Sequence, residues 1–387
     1  MKKKFIKFNK FLILIILFIF ISFTTFSELK NIGPCTSWIL TSENGAYISG
    51  ENISQVHPLA SITKMMNACV AFSLIKEKKI SLFDTKATVS KNALKYKGSS
   101  AYLKSGQKVT LFDLLCGMIV PSGNDAAYEL AWFLSDENIS NFVSEMNQMA
   151  KNIGMNNTNF YTPDGLPSNM TGKKMDVSTV EDISKLAARL VKNQVFLSIS
   201  SKKKVLVYNG KVTLFSVNTL LGKVKGLDGL KTGHHDEAKY NMAVTAKRGK
   251  MRLIAVVFGA PSQKERDQDA KNILEQGFNQ CINESLGKSG ETVNNIKIKN
   301  GKLKTLALVL KNDLNITIEK GMQSKLKDQI QLTKNIKTPI NKGDKLGEIV
   351  IYYKGQKIAT DDLLAIESVG KLGIFGKILR IVSFGVL

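Results

Sequence analysis

The sequence predicts an α+β fold, helices packed on an antiparallel sheet, followed by a small all-β domain. Three features carry that prediction. An apolar helical stretch and two further helix starts come early in the chain. Three strand-like runs joined by short turns follow between residues 229 and 259, and short alternating strands with Asn, Gly and Lys turns fill the chain beyond Leu286. Strands linked by so few residues pair antiparallel, and helices segregated ahead of such a meander define the class.

The chain opens with Lys2, Lys3, Lys4, Lys7 and Lys10, then the apolar run 11–23, then Thr24-Thr25-Phe26-Ser27. A basic flank, a short apolar stretch and small residues, in that order, predict a secretory signal peptide over 1–27, cleaved near Ser27. The run is long for such a segment, so an uncleaved N-terminal anchor is the alternative. Either way the remainder lies outside the cytoplasm.

Residues 28–287 read as one domain. Within 60–78, Ile62, Met65, Met66, Cys69, Phe72 and Ile75 recur on a helical period. Thr110 is a candidate cap for a second helix reaching Gly117, and a third runs from Asp125 to Leu134. Strands are expected at 229–231, 240–246 and 251–259. Residues 288–367 read as a small β-rich domain, with strands at 296–299, 306–310, 316–318 and 349–353. In 368–387, Leu372, Phe375, Leu379 and Val382 fall at three- and four-residue steps among Lys371, Lys377 and Arg380. Three glycines before Lys377 and three charges make this a poor bilayer span but a suitable amphipathic helix for a membrane surface. A last helix docked on the protein body is the alternative.

Composition narrows the class. A hydrophobic fraction of 43% with only 7 prolines in 387 residues excludes a disordered or collagen-like chain. The 55 Lys+Arg against 32 Asp+Glu leave +23, a balance that ordinarily points to nucleic acid. Export argues against that partner, and the lysines are scattered with no aromatic stacking platform, so no nucleic acid is expected. Anionic lipid or wall polymer suits the charge better, and a dispersed solvated surface is the bland alternative. Four cysteines with no C-x-x-C pair make neither a disulfide scaffold nor a thiol-exchange motif. Cys69 and Cys116, in apolar helical context, are expected to be buried free thiols; Cys35 and Cys281 stay unassigned.

Three short motifs carry chemistry. Ser61-Ile62-Thr63-Lys64 opens the apolar helix, so its Ser and Lys share one face. A serine at a helix start sits among free N–H groups that stabilise developing negative charge. Burying Lys64 among Ile62, Met65 and Met66 disfavours its ammonium and makes it a competent base. Ser122-Gly123-Asn124 follows Pro121 in a turn between helices; taken alone, it is a plain connection with Asn124 as a cap. Lys231-Thr232-Gly233 ends a strand ahead of His234 and His235. There Lys231 and Gly233 share a face opposite Thr232, and glycine lets a substrate backbone come close. Each tripeptide or tetrapeptide is uninformative by itself. In this order, with Ser122 61 residues after Ser61 and Lys231 109 residues after Ser122, they form the S-x-x-K, S-x-N, K-T-G set of penicillin-binding proteins and class A β-lactamases.

The longer stretches 59–66, 121–127, 162–167 and 228–234 agree as well, and the sequence closely resembles low-molecular-mass penicillin-binding proteins of the serine D-alanyl-D-alanine carboxypeptidase type across nearly its whole length. Class A β-lactamases differ in having Asp where this chain has Gly123, and in using a glutamate, with Asn four residues later, for deacylation. None of Glu129, Glu137, Glu145 and Glu181 is expected to fill that role, so fast β-lactam hydrolysis is not expected.

The resemblance implies Ser61 as nucleophile, Lys64 as base, Ser122 and Lys231 as the proton path to the departing amine, and Asn124 as a peptide holder. It implies an oxyanion hole from the N–H groups of Ser61 and His234, and a substrate strand laid on the edge strand around Gly233. Thr232, Lys231 and Arg266, or alternatively Arg252, would bind the terminal carboxylate. The substrate is a peptidoglycan stem peptide ending in D-Ala-D-Ala, with β-lactams as inhibitors and the outer face of the cytoplasmic membrane as location. No cofactor or metal is expected: adjacent His234 and His235 on an extended chain point apart, and His57 reads as a turn residue. A cross-link-cutting endopeptidase and a noncatalytic wall-peptide binder are the rival readings.

Overall fold

The computed structural model describes Leu29, residues 31–95 and residues 97–373. The expected signal peptide and residues 374–387 of the expected tail helix lie outside the described residues.

The first module is built on a five-stranded antiparallel sheet of β1 (Ser37–Ser42), β2 (Tyr47–Glu51), β3 (Leu227–His235), β4 (Lys239–Arg248) and β5 (Met251–Ala260). Their order is β2-β1-β5-β4-β3, which leaves β3 at an edge. The meander β3-β4-β5 is the one expected from sequence, although β3 continues through His234 and His235 rather than turning there. The N-terminal strands β1 and β2 complete the sheet by pairing β1 with β5.

Helices cover both faces. On one side lie α1 (Thr63–Glu77), α2 (Leu111–Ile119), α3 (Asn124–Leu134), α4 (Ile139–Asn152) and α5 (Val180–Leu190), packed on Ile39, Leu230, Ala243, Ile254, Val256 and Phe258. On the other, α6 (Gln263–Gln280) sets Ala270, Ile273 and Leu274 against Leu40, Met242, Val244, Ala255 and Val257. Because it is covered twice, β5 is buried from Arg252 to Ala260 and reads as a continuous apolar run rather than an alternation.

Local signals explain the helix starts. The Thr110 hydroxyl accepts from Asp113 N at 3.0 Å and caps α2. Ser262 caps α6, accepting from Glu265 N while donating to the Glu265 carboxylate. Asn124 is the first residue of α3 and Gly123 its cap position, so Asn124 is not a capping residue. Helix α1 is central: Thr63, Lys64 and Asn67 are as buried as Met65 and Met66. Polar groups removed from water need partners inside the protein, and these partners make the site described below. His57 lies in a two-residue strand paired with Val177–Ser178, not in a turn, with its ring stacked on Phe258.

The second module is all β. Its five-stranded sheet runs Thr292–Lys297, Thr305–Leu310, Gln356–Ala365, Lys345–Tyr353, Leu326–Leu332, and a two-stranded ribbon pairs Cys281–Gly287 with Leu314–Glu319. Residues 369–372 do not begin a helix. Val369 exchanges backbone hydrogen bonds with Ile340, Gly370 O accepts from Lys302 N, and Leu372 N donates to Asn300 O. Val369 is fully buried among Ile298, Ile340 and the module's other apolar residues, which holds this stretch extended. All four cysteines are free, with Cys69, Cys116 and Cys281 buried.

Candidate active site

The turn Ala60–Ile62, a short 3-10 helix leading directly into α1, carries Ser61. It is held from both sides. Asn241 on β4 donates through Nδ2 to Pro58 O at 2.8 Å and to Leu59 O, while its Oδ1 accepts from Gly259 N. Asp176 accepts from the Thr63 hydroxyl at 2.9 Å and also from Tyr161 N, Thr162 N and the Thr162 hydroxyl. Burial raises the Asp176 carboxyl to about 6 in spite of those four donors. Two glycines make room for the turn. A Cβ on Gly165, whose φ is +82°, would stand 2.0 Å from Ala60 O, and one on Gly233 would stand 2.7 Å from Leu59 O. The close approach that Gly233 permits is therefore between the edge strand and the serine-bearing turn itself.

Lys64 Nζ lies 2.7 Å from Ser61 Oγ, 2.8 Å from Asn124 Oδ1 and 2.8 Å from Asp164 O. An ammonium has three N–H donors and these are its three partners. In the neutral amine, two N–H groups serve Asn124 and Asp164, and the lone pair faces the Ser61 hydroxyl. Complete burial pulls the Lys64 amine down to about 8, a fall only partly opposed by the carboxylates of Asp164, Asp125 and Asp176. Asn124 is buried; its Nδ2 gives one hydrogen to Lys97 O and keeps a second.

The other amine lies on β3. Lys231 Nζ donates to Ser122 Oγ at 2.8 Å and to Thr232 O at 2.8 Å. Burial, then the charges of Lys64 and Arg266, hold its pKa well below the ordinary lysine value. Ser122 adopts a left-handed φ of +67°, uncommon outside glycine and frequent where a side chain is aimed at a site. The loop beside it is fixed by Asp125, which accepts from the Ser100 hydroxyl and from Ala101 N, and Asn124 N donates to Ser99 O.

Lys231 pairs with Ala243 and Thr232 with Met242 across the sheet. Cross-strand partners share a face, so Lys231 looks toward the helices and Thr232 toward α6, where Arg266 lies. Arg266 is buried, bonded through Nε and Nη2 to Asp267 Oδ1, and Asp267 is in turn held by the Thr219 hydroxyl. Of the two arginines anticipated, Arg252 is committed to Asp228 through two bonds of 2.7 and 2.8 Å and to Thr245. His234 stacks on Tyr240, and His235 is engaged by Glu237 and by Ala238 N.

Sequence reasoning missed the supporting shell of Asn67, Asp125, Asp164, Asp176 and Asn241. Asn67, one turn after Lys64 on α1, was the one legible sign. Its Nδ2 bonds Ala127 O and Pro163 O, tying α1 to α3 and to the 162–167 loop. One glutamate does have Asn four residues later, Glu137 with Asn141. Both residues are exposed at the start of α4, where Asn138 caps the helix by accepting from Asn141 N.

The chain matches the family model described as D-alanyl-D-alanine carboxypeptidase over residues 28–262, and that of the penicillin-binding protein 5 C-terminal domain over 283–371. It is 32% identical over 339 residues to D-alanyl-D-alanine carboxypeptidase DacF of Bacillus subtilis, covering 87% of this chain and 85% of that one. Penicillin-binding protein 5 of Haemophilus influenzae superposes with a TM-score of 0.70 at 32% identity, covering 88% of this chain and 98% of that one. Penicillin-binding protein D2 of Listeria monocytogenes, solved in its ampicillin-bound form, does so with a TM-score of 0.57 at 32% identity, covering 63% and 97%. With its first module matched nearly end to end, the chain belongs to the D-alanyl-D-alanine carboxypeptidase family.

Proposed function

We propose that the protein is a serine-type D-Ala-D-Ala carboxypeptidase that removes the terminal D-alanine from peptidoglycan stem peptides through an acyl-enzyme on Ser61. The observation that carries this reading is the 2.7 Å contact between Lys64 Nζ and Ser61 Oγ beside the 2.8 Å contact between Lys231 Nζ and Ser122 Oγ. In acylation, Ser61 Oγ bonds to the carbonyl carbon between the two D-alanines while its proton passes to neutral Lys64. The carbonyl oxygen, now negative, takes hydrogen bonds from the N–H groups of Ser61 and His234; losing one such donor typically costs about 10²–10³ in rate. As the C–N bond breaks, the departing amine takes the proton that Lys64 gained, relayed along Ser122 and Lys231, which returns Lys64 to the neutral amine. Water then attacks the ester carbonyl and gives a proton to Lys64, which passes it to Ser61 Oγ as the ester C–O bond breaks.

The peptide lies along the free edge of β3 as an added strand. Asn124 offers it the second hydrogen of Nδ2, and Thr232, Lys231 and Arg266 receive its terminal carboxylate. Penicillin enters by the same attack and stays as an ester. The enzyme is exported by its N-terminal segment and held at the outer face of the cytoplasmic membrane by an amphipathic tail. Domain limits of 28–287 and 288–367 accompany this reading. Digestion of cross-linked muropeptides tests it: free pentapeptides lose one D-alanine and cross-linked dimers persist. Conversion of dimers to monomers would make the protein an endopeptidase instead.

A further inference from the structure

Lys64 is gripped by a residue whose own side chain has no place in the mechanism above. The Asp164 carbonyl accepts from Lys64 Nζ at 2.8 Å. The Asp164 carboxyl is itself 1% exposed; its Oδ1 accepts from Leu166 N at 3.1 Å, and its Oδ2 is buried without a hydrogen-bond partner. Asn67, which holds the preceding Pro163 carbonyl, also leaves its Oδ1 buried and unpartnered. An acidic group with an unsatisfied oxygen in a dry interior is costly unless a charge compensates it, and buried Lys64 supplies that charge.

Resting on the reading of Lys64 as base, we infer that Asp164 is a positioning residue of the acyl transfer: its carboxylate is the counter-charge of Lys64, and its carbonyl fixes where the amine points. The pair works through one proton. When Lys64 takes the proton of Ser61, an ammonium forms in the interior, and the buried Asp164 carboxylate, which makes no ion-pair contact with it, stabilises that ammonium through the low-dielectric interior. When Lys64 gives the proton up, the carboxylate is left alone and becomes costly. Burial accordingly raises the Asp164 carboxyl from its usual range, and Lys64 is the largest influence pulling it back. Such a pair titrates as a unit. The other charges bearing on it are Asp125 and Asp176 on the Lys64 side, Lys173 on the Asp164 side, and Lys231, which feels Lys64 and Arg266.

The test is the pH dependence of acylation by a fluorescent penicillin, measured on the native protein and on Asp164→Asn, Asp164→Ser and Asp164→Glu, each first checked for cooperative thermal unfolding. Removing the counter-charge makes the ammonium harder to hold. In Asp164→Asn, or in Asp164→Ser should the first not fold, the acid limb of the profile moves to lower pH by about one unit, the scale of a lost neighbouring charge. Asp164→Glu keeps the native limb. A limb that stays put in the folded neutral variants, whatever the loss of rate, assigns Asp164 a structural role and overturns the inference while leaving Ser61 and Lys64 in place. A native protein that penicillin does not acylate, and that releases no D-alanine, removes the base reading and this inference with it.

Discussion

The Nζ of Lys231 and the Oγ of Ser122 stand 2.8 Å apart although 109 residues separate them. That contact, like the one between Lys64 and Ser61, brings a buried amine of lowered pKa to a hydroxyl. With Ser122→Ala, Lys231 keeps only the Thr232 carbonyl among those two partners, and the amine loses its link to the leaving group. Acylation is expected to slow by about 10²–10⁴, the usual worth of a positioned proton-transfer group. The rate of penicillin ester formation measures it.

The Lys64 amine, lowered to about 8 by burial, must be neutral to accept the Ser61 proton. Penicillin acylation should therefore rise with pH, fall away below pH about 8 in proportion to the neutral fraction, and level above it. The sign for stability follows. The unfolded chain holds this proton up to the ordinary 10.5, so between about 8 and 10.5 it binds more protons than the folded one, and the contribution of this group to stability rises with pH across that window. Acylation rates and melting temperatures over pH 6–11 check both statements.

Gly233→Ala places a methyl 2.7 Å from Leu59 O and 3.1 Å from Ile62 N and Cγ1. The neighbours are backbone on a turn already pinned by Asn241 and Asp176, so little can give. The substitution is expected to push the turn from β3, to cost about 2 kcal/mol and to depress acylation more than it depresses stability. Thermal unfolding and acylation of the same sample separate the two.

Since residues 369–372 are bonded into the second module, a clean test of the tail begins after them. A chain ending at Gly373, with signal cleavage verified by N-terminal sequencing, should leave the membrane fraction with full penicillin binding. Retention of that truncate in the membrane would contradict the amphipathic anchor.

Local patterns were legible in the sequence and long-range support was not. Ser61 and Lys64 are three residues apart, so helical spacing alone put amine beside hydroxyl. Ser122 and Lys231 could be joined only through the order of motifs in a resembling family, because nothing in either segment specifies the other. Asp176 binding Thr63, Asn241 binding Leu59 and Asp164 binding Lys64 span 100 to 182 residues, and an isolated Asp or Asn carries no trace of such a partner. Strand Leu326–Leu332 escaped notice for a different reason: it is an edge strand, largely exposed, and its LKDQIQL has no buried alternate face. Gln356–Ala365 begins with exposed Gln356 and Lys357 and mixes Thr360, Asp361 and Asp362 into its apolar pattern.

The most direct measurement of the central claim is covalent. The protein is incubated with fluorescent penicillin, digested, and the labelled peptide sequenced, beside a Ser61→Ala sample of verified fold. The account predicts one label per native chain, on Ser61, and none on the variant. A label on any other residue, or equal labelling of Ser61→Ala, would contradict it.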